Sequence, residues 1–179
     1  MSITKRISTL LVVSVACMLG VLAGCDWARW SGRGTSDTIE RVNIPAPINA
    51  LLPQKIEVHP FTRIGLLSEK DNIRGIDLCI RAVDSYGDAT KAFGKFRFEL
   101  YQFKPSSPDP KGALLAVWNE NIETLNENRR YWDNISRTYR FKLAWDKQTL
   151  PGEKFVIVVI FQSKYSDRLF AQRVISAGQ

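Results

Sequence analysis

The chain has 179 residues, 45% of them hydrophobic and 24% charged, with a formal charge of +7, which is the composition of an ordinary folded protein. That composition excludes a disordered tail, and the length leaves room for one core rather than two. The basic residues are scattered, with Arg129-Arg130 the one adjacent pair after residue 24, so the charge pattern of a nucleic-acid-binding protein is absent.

The first residues read as a charged start ending at Lys5-Arg6, then an apolar run from Ile7 to about Leu22 that is interrupted by Ser8, Thr9 and Ser14 and closes on the small residues Ala23 and Gly24. This is the plan of a secretory signal, and the run is somewhat short for a spanning helix of about 20 residues. Leu22-Ala23-Gly24-Cys25 closely resembles the lipobox of bacterial lipoproteins, a resemblance confined to the leader and its junction. It implies cleavage before Cys25, a diacylglyceryl group on the Cys25 thiol and residence on a membrane of the cell envelope, since two acyl chains turn marginal bilayer binding into stable binding. Asp26 is similar to the signal that keeps lipoproteins of enteric bacteria at the inner membrane. With Lys5 and Arg6 gone, the remaining 155 residues carry +5.

Residues 25–53 are expected to form the lipidated N-terminus and a tether, with Gly32, Gly34, Pro45, Pro47 and Pro53 among them. A flexible chain of this length spans roughly 30 Å. Trp27 and Trp30 carry rings suited to the headgroup zone, and Arg29 and Arg33 can pair with lipid phosphates, which makes a second, weak membrane contact an expectation. Ile44 to Pro53 is more apolar than a free linker, so Leu51 and Leu52 are expected to dock on the domain.

From residue 54 the pattern becomes alternation. Ile56 and Val58 mark a first short strand; Ile76, Leu78, Ile80 and Ala82 a second; Phe96, Phe98 and Leu100 a third, with Tyr101 and Phe103 pointing to a bulge at its end. Leu114 to Trp118 is a short apolar run, and Tyr139, Phe141, Leu143 and Trp145 alternate cleanly. Phe155 to Phe161 is apolar throughout, as in a central strand covered on both faces, and Leu169 to Ile175 closes the set. Turn signals fall at Ser85-Tyr86-Gly87-Asp88, at Pro105 to Gly112 and at Leu150-Pro151-Gly152. Asn119 to Asp133 breaks the alternation, with Ile122, Leu125 and Trp132 lining a short helix or pinning a long loop. The expectation for 54–179 is an all-β fold, a single antiparallel β-sandwich of about seven strands. In outline this resembles immunoglobulin-like or transthyretin-like sandwiches, and Phe98 to Lys104 is similar to a strand of the transthyretin-like lipoproteins that serve secretion systems.

The inventory for chemistry is short. His59 is the one histidine, and Cys79, mid-strand among hydrophobes, is the one thiol left once Cys17 and Cys25 are accounted for. A nucleophile pair of His59 and Cys79 and a zinc site are both poorly supplied, and no intramolecular disulfide can form. Asp84 and Asp88 flank a turn and would serve Ca²⁺ if Asp71, Asn72, Asp133 or Asn134 converged on them; capping of their own turn is the simpler reading. No cofactor and no catalytic residue is expected. Arg129-Arg130-Tyr131-Trp132 combines rings and cations in an irregular stretch of the kind that often carries recognition. The expected function is a membrane-tethered, non-enzymatic module of the cell envelope that binds another envelope protein, with binding of envelope carbohydrate or an anionic polymer as the alternative.

Overall fold

The computed structural model describes residues 40–45 and 48–178. The leader, Cys25 and the candidate membrane contacts Trp27, Arg29, Trp30 and Arg33 lie outside the described residues.

Two antiparallel sheets make a β-sandwich. The first holds β1 (Lys55–Val58), β2 (Arg63–Ser68), β3 (Ile73–Val83), β6 (Trp132–Asp133) and β7 (Thr138–Ala144), in the order β1-β3-β7-β6 with β2 also on β3. The second is β5-β4-β8-β9, built from β4 (Lys95–Phe103), β5 (Lys111–Asn121), β8 (Lys154–Gln162) and β9 (Leu169–Ser176). Reading β1 and β2 as one interrupted edge strand, this is the A-B-E-D and C′-C-F-G pairing of immunoglobulin-type sandwiches.

All seven stretches expected to be strands are strands, and two more join them among the described residues. β2 and β6 escape a sequence reading for plain reasons: Arg63-Ile64-Gly65-Leu66-Leu67-Ser68 buries only Ile64 fully, and β6 is two residues long. β1 pairs with the end of β3 (Val58 opposite Ile80) and β2 with its start (Arg63 opposite Asp77), so a turn at His59–Thr62 divides one edge. The bulge expected near Tyr101 is present as register shifts at Leu100/Tyr101 and Tyr101/Phe103.

One face of each sheet supplies the core, because alternation puts every second side chain inward. Phe96 and Phe98 of β4 meet Phe141 of β7 with ring centroids 5.2 and 4.8 Å apart, and Phe161 of β8 lies 4.8 Å from Phe96. All four are buried; losing one such ring to alanine costs about 3–5 kcal/mol. The stretch after β5 forms α1 (Leu125–Tyr131), started by a capping box in which Thr124 Oγ1 accepts from Glu127 N and the Glu127 carboxylate accepts from Thr124 N. Leu125, expected on its buried side, is exposed, and Asn128 is buried instead.

The segment read as a tether is held to the domain over its described part. Val42 N donates to Lys164 O at 2.8 Å and Arg41 pairs with Asp167. Ile48–Leu51 makes a 3-10 turn whose carbonyls accept from Ser85 N (to Ala50) and Thr90 Oγ1 (to Leu51). Leu52 is half-buried as expected of a docking residue; Leu51 docks through its backbone and leaves its side chain exposed.

Candidate functional site

The two outer faces of the sandwich differ in chemistry. On the first sheet, the positions that alternate with the core are mostly charged, with Lys55, Glu57 and Arg81 at one end and Arg63, Arg140 and Lys142 around Asp77, whose Oδ2 accepts from Arg140 Nη2 at 2.6 Å with Arg63 Nε at 3.6 Å. Cys79 sits in that row and is buried. Burial pushes its thiol pKa up, and the Asp77 carboxylate adds to the shift, so it is a poor thiolate.

The outer face of β5-β4-β8-β9 is rich in apolar side chains, interrupted by Arg97 and Asn119 in the row of Ile160 and by Gln172 beside Val158. Register places Tyr101, Val156 and Val174 in one row, Val117, Glu99 and Val158 in the next, and Ile160 beside Phe170 in a third. Phe170 is 59% exposed, Leu114 51% and Val174 41%. The single carboxylate in the middle of the face, Glu99, is closed off. Arg97 Nε donates to its Oε1 at 2.6 Å and Tyr101 Oη donates to its Oε2 at 2.7 Å. Burial pushes the Glu99 pKa up, but the hydrogen bonds from Arg97 and Tyr101 outweigh it and hold the carboxyl below its usual range. Phe155–Phe161 was expected to be a strand covered on both faces. β8 is central in its sheet and its inner face is core; on its outer face Val156 and Ile160 are buried as well, and Val158 is half-exposed.

The stretch Arg129-Arg130-Tyr131-Trp132 is divided by the structure. Its cations are exposed, while its rings are half-buried. Tyr131 packs 4.7 Å from Phe141 and donates its hydroxyl to Glu120 at 2.6 Å; Trp132 lies edge-on to Tyr139 at 5.0 Å, with Lys91 Nζ 4.1 Å from its ring centroid. Burial, with Arg129 adding repulsion, lowers the Lys91 pKa. These rings fasten α1 and β6 to the core.

The acidic loop caps itself: Asp84 Oδ1 accepts from Tyr86 N at 2.9 Å and Asp88 N at 3.0 Å, and Gly87 takes the positive φ of 88° that the turn requires. Asp71 precedes β3 and Asp84 follows it, so the eleven residues of that strand, about 35 Å, keep them apart. Asp133 accepts from Ile135 N and the Ser136 hydroxyl in its own hairpin turn. Among the described residues no three His, Cys, Asp or Glu side chains converge as metal ligands. His59 Nδ1 accepts from Phe61 N at 3.4 Å and its ring rests on Phe61 at 4.5 Å.

Comparison of the chain with protein-family models, with curated proteins and with solved structures finds no match. The apolar sheet face is the feature that reading the sequence strand by strand missed. Its signal was the double-sided hydrophobicity of Phe155–Phe161, set beside Phe170 and Val174 on the outward phase of the last strand.

Proposed function

We propose that this chain is a lipid-anchored, non-enzymatic module of the bacterial cell envelope, and that it works by binding another envelope protein through the outer face of the β5-β4-β8-β9 sheet. The observation that carries this reading is the contrast between that face, with Leu114, Val117, Phe170 and Val174 exposed and its one central carboxylate internally neutralised, and the charged outer face of the other sheet. Large apolar side chains gathered on one face favour a partner, because covering them releases about 25 cal/mol per Å². The anchor rests on Leu22-Ala23-Gly24-Cys25, and a domain confined near a bilayer needs only modest affinity for a neighbour. A thiol kept protonated by burial and an Asp84 carboxylate that caps its own turn support the non-enzymatic reading.

The test places a photo-reactive residue at Gln172, between Phe170 and Val174 on the outer side of β9, or at Lys142 on the opposite sheet, in cells carrying the full chain. A protein adduct formed from Gln172, absent from Lys142 and abolished by Phe170→Glu, is the expected result. Equal adducts from both faces, none from either, or adducts indifferent to Phe170→Glu overturn the reading.

A further inference from the structure

A second candidate site lies at the other end of the sandwich, where the β2–β3 turn approaches the β7–β8 loop. A cavity of about 190 Å³ opens there, bounded by Trp145, Arg74, Lys147, Asn72, Thr149 and Gly75 together with apolar residues of β2. Its existence follows from register. Gly65 and Gly75 stand opposite each other across β2 and β3, so two neighbouring positions carry no side chain. At Gly75 none is possible without movement, since a Cβ would lie 2.1 Å from Leu143 O.

Trp145 is fixed in place from two sides. Its backbone N–H donates to Arg74 O at 2.9 Å, and its ring stands edge-on to Phe155 at 5.2 Å. Lys147 Nζ lies 5.9 Å from the Trp145 ring centroid. No carboxylate borders the cavity, and among the described residues neither Arg74 nor Lys147 makes an ion pair. Asp71, within the β2–β3 turn, is engaged by the Ser68 hydroxyl at 2.9 Å, and Asp146, exposed between Trp145 and Lys147, makes no ion pair among the described residues.

A half-buried indole, two unneutralised cations and an amide and a hydroxyl at one small opening call for a particular ligand. The indole offers an apolar plate for the C–H face of a sugar ring, Asn72 and Thr149 offer partners for hydroxyl groups, and the two cations favour an anion. The volume is below the roughly 300 Å³ at which sites for drug-sized ligands begin, so it admits one ring. We propose that this cavity binds a pyranose unit bearing a carboxylate or a phosphate. This goes beyond the binding of a protein partner and stands without it, because the residues involved are different and lie away from Phe170.

The experiment titrates the full chain in detergent, by saturation-transfer NMR, with glucuronate, glucose 6-phosphate, glucose and inorganic phosphate. Binding of glucuronate, glucose 6-phosphate or both, at least about tenfold tighter than glucose and weakened about tenfold by Lys147→Glu or Arg74→Glu, is expected from charge-assisted hydrogen bonds. Both substitutions are at exposed positions, and unchanged melting of these variants separates lost binding from lost fold. Which anionic sugar binds decides between carboxylate and phosphate. Binding of neither, binding indifferent to both substitutions, or inorganic phosphate competing as well as the sugars overturns the proposal. A result of that kind leaves cross-linking at Gln172 untouched, so the two readings fail separately.

Discussion

The Thr62 side chain bonds both backbone groups of Cys79: its Oγ1 accepts from Cys79 N at 3.1 Å and donates to Cys79 O at 3.3 Å. Between β1 and β2 the edge strand turns away at His59–Thr62, and Cys79 would otherwise lose its ladder partner in the middle of β3. The hydroxyl stands in for the missing peptide. Cys79 O keeps a second donor in His59 N at 2.8 Å, whereas Cys79 N has Thr62 in place of a strand neighbour. Thr62→Val, which keeps the shape, therefore strands one buried N–H and is expected to cost about 1–3 kcal/mol; Thr62→Ser should recover most of it. Urea unfolding of the two variants checks this, and equal losses would show that the methyl group matters more than the hydroxyl.

The two glycines paired across β2 and β3 predict opposite outcomes for one substitution. At Gly75 an added Cβ meets Leu143 O at 2.1 Å and the Leu67 side chain at 2.7 Å, and the first of these is backbone that cannot swing aside. Gly75→Ala is expected to cost about 3 kcal/mol or more. At Gly65 a Cβ meets nothing within 4 Å, so Gly65→Ala should fall within about 0.5 kcal/mol of the parent or stabilise it slightly through the unfolded chain. Thermal unfolding of the pair measures the contrast.

Tyrosine ionisation is expected to weaken the fold at alkaline pH. Burial pushes the Tyr139 pKa up, and its hydroxyl accepts from Ala92 N at 2.8 Å and donates to Asn128 Oδ1 at 2.9 Å. Tyr131 is pushed up to about 12 by burial and its hydrogen bond to Glu120, and Tyr101 is raised by its bond to Glu99. A pKa raised on folding means that the unfolded chain loses its protons first, near pH 10. Stability from these groups is thus complete below about pH 10 and falls as pH climbs through the folded values. Urea unfolding at about pH 8 and about pH 11 should show that decline, with a shallower one in Tyr131→Phe.

The sequence was most legible where one face of a strand meets the core and the other meets water. Tyr139, Phe141 and Leu143 alternate with Arg140, Lys142 and Ala144 because only that condition produces a period of two. β2 lacks the condition, since an edge strand interrupted by a turn after Pro60 buries too little to impose a pattern. The helix had a readable start in Thr124-Leu125-Asn126-Glu127, but its buried face is carried by a polar residue, Asn128, which hydrophobic periodicity cannot reveal. Neither candidate surface was legible. The outer sheet face is assembled by register from Leu114, Val158 and Phe170 on three strands, and the cavity brings Arg74 of β3 beside Trp145 at the end of the neighbouring strand β7.

The last expectation ties the anchor to the sheet face. Replacing Cys25 by Ser removes the thiol that would carry lipid and leaves the described domain unaltered, so melting should not change while the protein leaves the membrane fraction and loses incorporation of labelled fatty acid. The cross-link formed from Gln172 should fall in the same variant, because confinement near a bilayer raises the effective concentration of any neighbour held there to about the millimolar range, and loss of the anchor returns binding to its intrinsic affinity. Restoring a membrane anchor by fusing an unrelated spanning helix ahead of residue 26 should bring the adduct back. If the soluble Cys25→Ser protein cross-links as strongly as the parent, the sheet face binds tightly by itself and the anchor serves only to set location. If the spanning-helix fusion stays silent, the lipid or the residues beside it take a direct part in recognition, and Trp27 and Trp30 become the first positions to replace.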